Sequence, residues 1–254
     1  MSEETEYPCD NRAGSMTLHF MEQGTAEWYD IRAGRMTASV ASKLVTASGR
    51  EGTQYKKYIG TMLAEQMDWQ MPEYMADSYW MKRGKRMEAE ARRWMGFSLF
   101  DLGETSPIQE VGFISMDANH GFSPDGIIIN KRPAGSVVIP LEIKVPKPST
   151  HVLWLADLNR GVIPREHLPQ CHYALAVTGA PYMYFCSYHP QCPSPVIKLE
   201  RNDMTKLMVD MMHKYDDALR KTRESLQGIL QSAEVGIIVS EKGLSNLATS
   251  GGDE

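Results

Sequence analysis

Hydrophobic positions along the chain follow two periodicities, and each predicts a different kind of element. Apolar residues recur at helical spacing in residues 54–66 and 76–97, so both stretches are predicted to be amphipathic helices. Residues 182–189 and 196–200 are rich in β-branched and aromatic residues, which favours strands. Similar patterns predict a short edge strand at 17–21, a strand at 107–115, and helices at 149–158, 164–178 and 203–225. This order of elements predicts an α/β fold with a mixed sheet flanked by helices.

Residues 121–144 are predicted to form a β-hairpin. The first strand contains the three isoleucines at 127–129, and the second strand covers the apolar stretch 137–145. Residues 130–135 are predicted to form the turn, because they include a proline and a glycine.

Three polar residues interrupt this apolar hairpin. Asp125 begins the first strand, and Glu142 and Lys144 lie in the second. Because side chains alternate along a strand, Glu142 and Lys144 share one face while Leu141 and Ile143 occupy the other. Buried charges are normally paired or bound to a metal, and Mg²⁺ prefers oxygen ligands. The pattern therefore indicates a Mg²⁺ site beside a lysine. The alternative is an edge hairpin that carries a Glu–Lys surface pair.

A further carboxylate lies within the apolar stripe of the helix predicted at 76–97. Glu88 is flanked about one turn away by the small residues Gly84 and Ala91, which leave room for a ligand. We therefore expect Glu88 to face inward. In the alternative interpretation, Glu88 forms a surface pair with Arg92 at i,i+4 spacing.

Residues 27–43 contain a candidate phosphate site. A helix is predicted to break at Gly34, and Thr37, Ala38 and Ser39 can cap a second helix beginning near Val40. Arg32 and Arg35 lie beside that helix start, where backbone N–H groups and guanidinium groups both suit phosphate. The alternative is an ordinary corner between helices with surface arginines.

The helix predicted at 164–178 contributes two polar candidates. Gln170 and Tyr173 lie three residues apart and share a helix face, so an amide and a phenol could orient a phosphate or a water molecule. In the alternative interpretation, Tyr173 packs in the core. His172 is expected to face outward, and the lone His151 is expected to have a structural or phosphate-contact role.

Composition narrows the class of protein. The 254-residue chain carries a net charge of −5, which favours a localised basic groove over a broad nucleic-acid surface. No apolar run is long enough for a membrane helix, and the polar N-terminus is unlike a signal peptide. Four scattered cysteines indicate neither a zinc site nor a disulfide framework, so a cytoplasmic protein is expected. We predict a single domain at 23–225, a peripheral segment at 1–22, and an extension at 226–254 that ends in a disordered tail.

The hairpin motif carries a resemblance to a known family. Asp125 followed by Glu142-Ile143-Lys144 resembles the D…ExK pattern of the restriction-endonuclease-like nucleases. The local sequences Ser-Pro-Asp-Gly and Leu-Glu-Ile-Lys are similar to motifs of the lambda-exonuclease (YqaJ-type) viral recombination nucleases. The resemblance covers about residues 23–220. It implies a restriction-endonuclease-like core, in which a central mixed sheet is flanked by helices.

The resemblance also implies an activity. Members of this family are Mg²⁺-dependent 5′-to-3′ exonucleases that degrade one strand of double-stranded DNA from its ends. The 3′ single-stranded overhang then serves phage-type recombination by strand annealing. Mn²⁺ would be expected to substitute for Mg²⁺. A homotrimeric ring, a single-strand annealing protein as partner, and expression from a phage or prophage in the cytoplasm of a bacterial host are implied as well.

Family roles are carried over only to matching positions of this chain. Asp125 and Glu142 would hold the metal, assisted by Glu88. Lys144 and Gln170 would act on the attacking water, with Tyr173 beside Gln170. Arg32 and Ser39 would hold the 5′-phosphate, and Arg35 would be a general phosphate contact.

The sequence is also compatible with three other functions. One is an endonuclease or 3′-end enzyme of the same fold, and another is a non-catalytic module that binds DNA ends. The third is an α/β domain whose hairpin has no chemical role. The intact set of Asp125, Glu142 and Lys144 weighs against the second, and the third would require every motif match to be a coincidence.

Overall fold

A computed structural model describes residues 3–8, 15–67, 79–133 and 135–232 of the chain. Its α-helices, in chain order, are α1 (Ala26–Arg32), α2 (Tyr55–Gln66), α3 (Tyr79–Asp101), α4 (Pro148–Leu158), α5 (Leu168–Thr178) and α6 (Asp203–Ser232). Two short 3₁₀ helices cover Ala38–Lys43 and Arg165–His167. The strands are β1 (Glu3–Pro8), β2 (Ser15–Phe20), β3 (Ile108–Gln109), β4 (Phe113–Ser115), β5 (Gly121–Phe122), β6 (Gly126–Arg132), β7 (Gly135–Lys144), β8 (Tyr182–Ser187) and β9 (Val196–Glu200).

A five-stranded mixed sheet carries the predicted hairpin. Its strand order is β3-β6-β7-β8-β9, and β7 pairs in parallel with β8 while the other pairs are antiparallel. Helices α3 and α5 both pack against β7. The expected mixed sheet flanked by helices is therefore confirmed, and the hairpin lies at its centre because β7 has a partner on each side.

The hairpin turn is tighter than the sequence predicts. Asn130 pairs with Val137, and Arg132 pairs with Gly135, so the first half of the predicted turn belongs to β6. Gly135 has φ +127°, a conformation that L side chains rarely adopt. A glycine at this corner lets the two strands continue almost to the tip.

A second sheet has the strand order β1-β2-β4-β5, and it bears on three predictions. The strand predicted at the edge lies between β1 and β4, and its Met16 and Leu18 are buried. The described part of the segment predicted to be peripheral is thus integrated in a sheet. The single strand predicted at 107–115 is wrong, because it is split into β3 and β4, which belong to different sheets. Gly112 lies between them, and a Cβ there would lie 2.4 Å from the carbonyl oxygen of Met21.

Helix positions agree with the predictions better than helix ends do. α3 continues to Asp101 and α6 to Ser232, beyond the predicted ends, whereas the predicted start of α3 at 76–78 falls outside the described residues. The predicted C-terminal extension begins inside α6, and its predicted disordered tail also falls outside the described part. Among the described helices, none combines the length and apolarity needed to cross a membrane.

Contacts divide the chain into two compact units, 1–218 and 219–254. The residues proposed for chemistry all belong to the first unit. The described part of the second unit is the end of α6, where Arg220 and Glu224 form an ion pair at 3.1 Å. Cys171, Cys186 and Cys192 are free thiols, and Cys9 lies outside the described residues.

Candidate active site

Four of the predicted residues meet on one side of the hairpin. Glu142 and Lys144 share a face of β7 and form an ion pair, as strand alternation predicts. The Gln170 side-chain amide donates to Glu142 Oε1 at 2.7 Å from α5. Asp125 Oδ2 accepts a hydrogen bond from the backbone N–H of Ile143 at 2.6 Å. The carboxylate at the start of β6 is thereby held against β7 beside the Glu–Lys pair.

The central position of β7 explains why Glu142 is buried. The strand is hydrogen-bonded on both sides, and in this register Glu142 lies opposite Phe185 of β8. Glu142 is only 5% exposed, so its carboxylate relies on Lys144 and Gln170 for its polar contacts. The alternative interpretation of a surface Glu–Lys pair is therefore excluded.

Burial controls the electrostatics of the site. Desolvation raises the pKa of Glu142 to about 7, although Lys144 opposes the shift. Desolvation also raises the pKa of Asp125, again against the charge of Lys144. Burial would lower the pKa of Lys144, but the two carboxylates outweigh it and raise that pKa above its ordinary value. Lys144 is thus a permanent cation at neutral pH, between two carboxylates that are costly to ionise.

Glu88 shows features of both predicted arrangements, the surface pair with Arg92 and the inward-facing carboxylate. It accepts from the Arg92 guanidinium at 2.6 Å, as the surface-pair alternative predicts. It also lines a cavity of about 450 Å³ together with Asp125, as the inward interpretation predicts. Burial, and then the charge of Asp125, raise the pKa of Glu88. Glu88 can therefore contribute to the site while Arg92 partly balances its charge.

Arg92 is a site residue that the sequence analysis did not select. Its Nε donates to the backbone oxygen of Asp125 at 2.7 Å, and its other nitrogens bind Glu88 and Glu110. The i,i+4 spacing from Glu88 pointed only to a surface pair. The contacts with Asp125 and Glu110 depend on the way the chain folds back over α3, and local sequence carries no signal for them.

The predicted phosphate residues line a second cavity of about 270 Å³, together with Thr37 and Tyr58. Arg32 stacks on Trp28 with its guanidinium carbon 4.2 Å from the ring centroid, and it donates to the Ser123 hydroxyl at 3.0 Å. Burial lowers the pKa values of Arg32 and Arg35. Because both guanidinium groups line the same cavity, one anion could contact both. Binding an anion would be favourable, since it offsets the cost of desolvating these charges.

The chain around Ser39 differs in detail from the prediction. The break at Gly34 is present, with φ +68°, but the element that follows is a 3₁₀ helix beginning at Ala38. Thr37 occupies the N-cap position, yet its hydroxyl bonds to the Ser39 hydroxyl at 3.1 Å instead of capping the helix. The two hydroxyls thus lie side by side at the cavity wall.

The two cavities adjoin one another. Trp28 and Tyr29 line both the cavity that contains Glu88 and Asp125, which we call the carboxylate cavity, and the cavity that contains Arg32 and Arg35, which we call the arginine cavity. The two rings lie 4.9 Å apart in an edge-to-face arrangement. A ligand with two phosphate groups could therefore contact both cavities across this aromatic wall.

Three predictions for the nearby polar residues have different outcomes. Tyr173 is fully buried, and its hydroxyl donates to the Met36 carbonyl oxygen at 2.6 Å, so the core alternative holds and Tyr173 is withdrawn as a substrate contact. The outward prediction for His172 is wrong, because its ring is buried and bonded to Thr205. His151 is buried and bonded to Ser187 and the Pro193 carbonyl oxygen, which is a structural role.

Asp125 and Glu142 are the candidate ligands for a magnesium ion that would keep part of its water shell. Within the described residues, no group of three or more His, Cys, Asp or Glu side chains is arranged to hold a metal alone. Mg²⁺ is usually bound by one or two carboxylates, with waters and phosphates completing the shell. Asp125 Oδ2 and Glu142 Oε1 are the oxygens engaged in the described hydrogen bonds, so the second oxygen of each remains for a ligand. Burial raises the pKa of both carboxyl groups, so a nearby positive charge would favour their ionised forms.

Solved structures of similar fold include two of an alkaline exonuclease from Laribacter hongkongensis. One matches with a TM-score of 0.57 and 21% identity, and it covers 81% of this chain and all of the other. A structure of the same exonuclease in complex with dAMP has a TM-score of 0.56, 20% identity and the same coverage. These likenesses confirm the restriction-endonuclease-like core. A search of curated protein sequences gives no match.

The sequence model of one protein family matches most of the chain. The model for the YqaJ-like viral recombinase domain matches residues 27–181, which include the arginine cavity, most of the lining of the carboxylate cavity, the hairpin and α5. This range is more than half of the 254 residues. The chain therefore belongs to the YqaJ-like viral recombinase domain family.

Proposed function

We propose that this protein is a Mg²⁺-dependent exonuclease that degrades one strand of double-stranded DNA from a 5′-phosphorylated end. The observation that carries the proposal is the buried Glu142 with the half-buried Asp125 and Lys144, beside a separate arginine cavity. Family membership and the exonuclease fold support a nuclease role. The 3′ overhang left behind would serve strand annealing. Action as a homotrimer with an annealing protein, in a bacterial cytoplasm, remains a proposal implied by the family.

Each proposed role follows from the position of the side chain. Bound Mg²⁺, or Mn²⁺ in its place, would activate water and stabilise charge on the phosphate. Asp125 and Glu142 would hold the metal, and Glu88 would assist from the cavity wall. Lys144 would act on the attacking water and, as a cation beside the two carboxylates, would offset negative charge that develops on the scissile phosphate. Gln170 fixes Glu142 through its amide nitrogen, and its amide oxygen can accept from the attacking water.

The arginine cavity would provide selectivity for DNA ends. Arg32, Ser39 and Arg35 would bind the terminal 5′-phosphate, and the scissile phosphate would lie at the carboxylates beyond the aromatic wall. Closed circular DNA has no such terminal group. An enzyme that requires this contact therefore works from ends.

Digestion of labelled duplexes tests the proposal. We expect Mg²⁺-dependent release of mononucleotides from the 5′ end of a linear duplex, no reaction with a chelator, and no cleavage of a closed circle. Cleavage of the circle would instead support the endonuclease alternative. Binding to ends without cleavage, in either Mg²⁺ or Mn²⁺, would leave the non-catalytic end-binding module.

The substitution Arg32→Gln should weaken selection of phosphorylated ends. A hydrogen bond to a charged group contributes about 1.5–3 kcal/mol, so KM for a 5′-phosphorylated end should rise about tenfold or more, with little change in kcat. The KM for a 5′-hydroxyl end should change much less. The comparison requires initial rates on matched duplexes that differ only in the end group.

Arg50→Gln is the matched control for this experiment. Arg50 is exposed, and its guanidinium donates to the nearby Ser48 hydroxyl, away from the cavity lining. It should leave both KM values unchanged. Equal losses on the two kinds of end in Arg32→Gln would argue against an end-phosphate contact.

A further inference from the structure

A chain of buried hydrogen bonds joins α5 to α6 through a histidine. The Tyr173 hydroxyl lies 2.9 Å from His120 Nδ1, and His120 Nε2 lies 3.0 Å from Asp216 Oδ1. Tyr173 and His120 are fully buried, whereas the Asp216 side chain is 32% exposed. The Tyr215 ring packs edge-to-face on His120, with centroids 5.5 Å apart. None of these residues lines either cavity.

Both ring nitrogens of His120 take part in this chain. The Tyr173 O–H donates to the Met36 carbonyl oxygen at 2.6 Å, so the phenol oxygen is left to accept from His120. Asp216, as a carboxylate, also only accepts. Hydrogen bonds at both ring nitrogens thus hold the His120 ring between Tyr173 and Asp216.

Met36 belongs to the segment that carries the proposed phosphate contacts, residues 32–39, which we call the phosphate loop. Its backbone N–H donates to Asn119 O at 2.7 Å, and its carbonyl oxygen accepts from Gly121 N at 3.2 Å as well as from Tyr173. Arg35 Nε reaches Asp117 O at 3.4 Å. The phosphate loop is thus held by the turn at 117–121.

The same turn is fixed from the other side. Asp117 Oδ1 accepts from the backbone N–H groups of Asn119 and His120, each at 2.7 Å. The Asn119 side-chain amide donates to Asp216 Oδ1 at 3.2 Å, so this carboxylate oxygen receives bonds from two residues of the turn. Movement of α6 at this point would therefore move the turn and, through it, Met36.

Helix α5 connects this network to the carboxylate site. Gln170 lies three residues before Tyr173, a rise of about 4.5 Å along the helix axis. Gln170 contacts Glu142, while Tyr173 contacts Met36. One turn of α5 therefore sets the spacing between the carboxylate site and the phosphate loop.

We propose that the Tyr173–His120–Asp216 chain is a positioning device that holds the phosphate loop at a fixed distance from the carboxylate site and so determines selectivity for phosphorylated DNA ends. The three residues touch no substrate. They act through the Met36 backbone, and the proposal rests on the proposed end-phosphate pocket. Displacement of reacting groups by even about 1 Å can cost a large factor in rate, which makes such a device necessary.

The substitution Tyr173→Phe tests this directly, because it removes one oxygen and preserves the ring. The measured quantity is the ratio of kcat/KM on 5′-phosphate ends to kcat/KM on 5′-hydroxyl ends. We expect this ratio to fall about tenfold, with the rate on 5′-hydroxyl ends nearly unchanged, since a lost buried hydrogen bond frees the loop. A merely structural role would lower both rates together and leave the ratio intact.

Tyr184→Phe is the matched control. Tyr184 is also buried, and its hydroxyl donates to Glu104 at 2.7 Å, outside both cavity linings. It should keep the wild-type ratio. If Tyr173→Phe does not fold, Asp216→Asn replaces it, because a half-exposed side chain is easier to change, and a reduced ratio is again expected.

The outcomes separate this inference from the proposed function. A wild-type protein that shows no preference for phosphorylated ends would refute the end-phosphate pocket itself. A wild-type preference that survives in a folded Tyr173→Phe or Asp216→Asn protein would overturn the positioning role and leave the pocket standing. Loss of the ratio in Tyr184→Phe as well would show a general stability effect and would also overturn it.

Discussion

Replacing Lys144 with methionine should reduce DNA hydrolysis about 10²- to 10³-fold. Lys144 is the cation paired with Glu142 at the hairpin, and preorganised charge of this kind stabilises the transition state by a few kcal/mol. Methionine keeps the length and packing of the stem but removes the charge. Without the charge, the pKa of Glu142 should rise further above about 7, so the carboxylate would be protonated at neutral pH and would bind metal poorly.

The control for Lys144→Met is Lys198→Met. Lys198 lies on β9 of the same sheet, is about half exposed, and stacks on Tyr182 with Nζ 4.1 Å from the ring centroid. It should retain wild-type rates of nucleotide release. Activity of Lys144→Met within threefold of the wild type would contradict the assigned role.

Glu142→Gln should abolish Mg²⁺-dependent hydrolysis, with a loss of about 10³-fold. Such a loss corresponds to about 4 kcal/mol of transition-state stabilisation, which is within the range that a bound metal supplies. The amide can still accept from Lys144 and Gln170, so the hydrogen-bond geometry is preserved while the charge is removed. Initial rates at saturating Mg²⁺ measure the effect.

The same variant should not be destabilised, and its stability distinguishes lost chemistry from lost folding. The folded-state pKa of Glu142, about 7, exceeds its ordinary value of 4.5. The stability that this group contributes is therefore fully present below about pH 4.5 and is lost as the pH rises through 7. Glutamine removes this pH-dependent loss and leaves Lys144 balanced by Asp125. At pH 8 without metal, the Tm of Glu142→Gln should equal or exceed that of the wild type, and a clear decrease would show a structural defect.

The hairpin chemistry could be predicted because it depends on local periodicity. Alternation along one strand is enough to place Glu142 and Lys144 on the same face. The bond from Ile143 N–H to Asp125 could not be predicted in this way, since it joins residues 18 positions apart in sequence. The same limit applies to Arg92, whose contacts with Asp125 and Glu110 arise only when the chain folds over α3.

Periodicity also fails where an element is buried on every side. Helix α5 buries Cys171, His172, Tyr173 and Ala174 in succession, so no face is marked as polar. For that reason, the outward expectation for His172 and the substrate role for Tyr173 had no reliable basis in spacing. The division of 107–115 into two strands was missed for a different reason, because the close approach of Gly112 to Met21 is a tertiary contact.

Calorimetric titration of Mn²⁺ into the metal-free protein tests whether Asp125 and Glu142 form the metal centre. We expect binding that strengthens as the pH rises through about 7, accompanied by proton release, because the metal displaces the proton of Glu142. Glu142→Gln should bind at least about tenfold more weakly and should release fewer protons. Equal affinity and equal proton release in the two proteins would contradict the account.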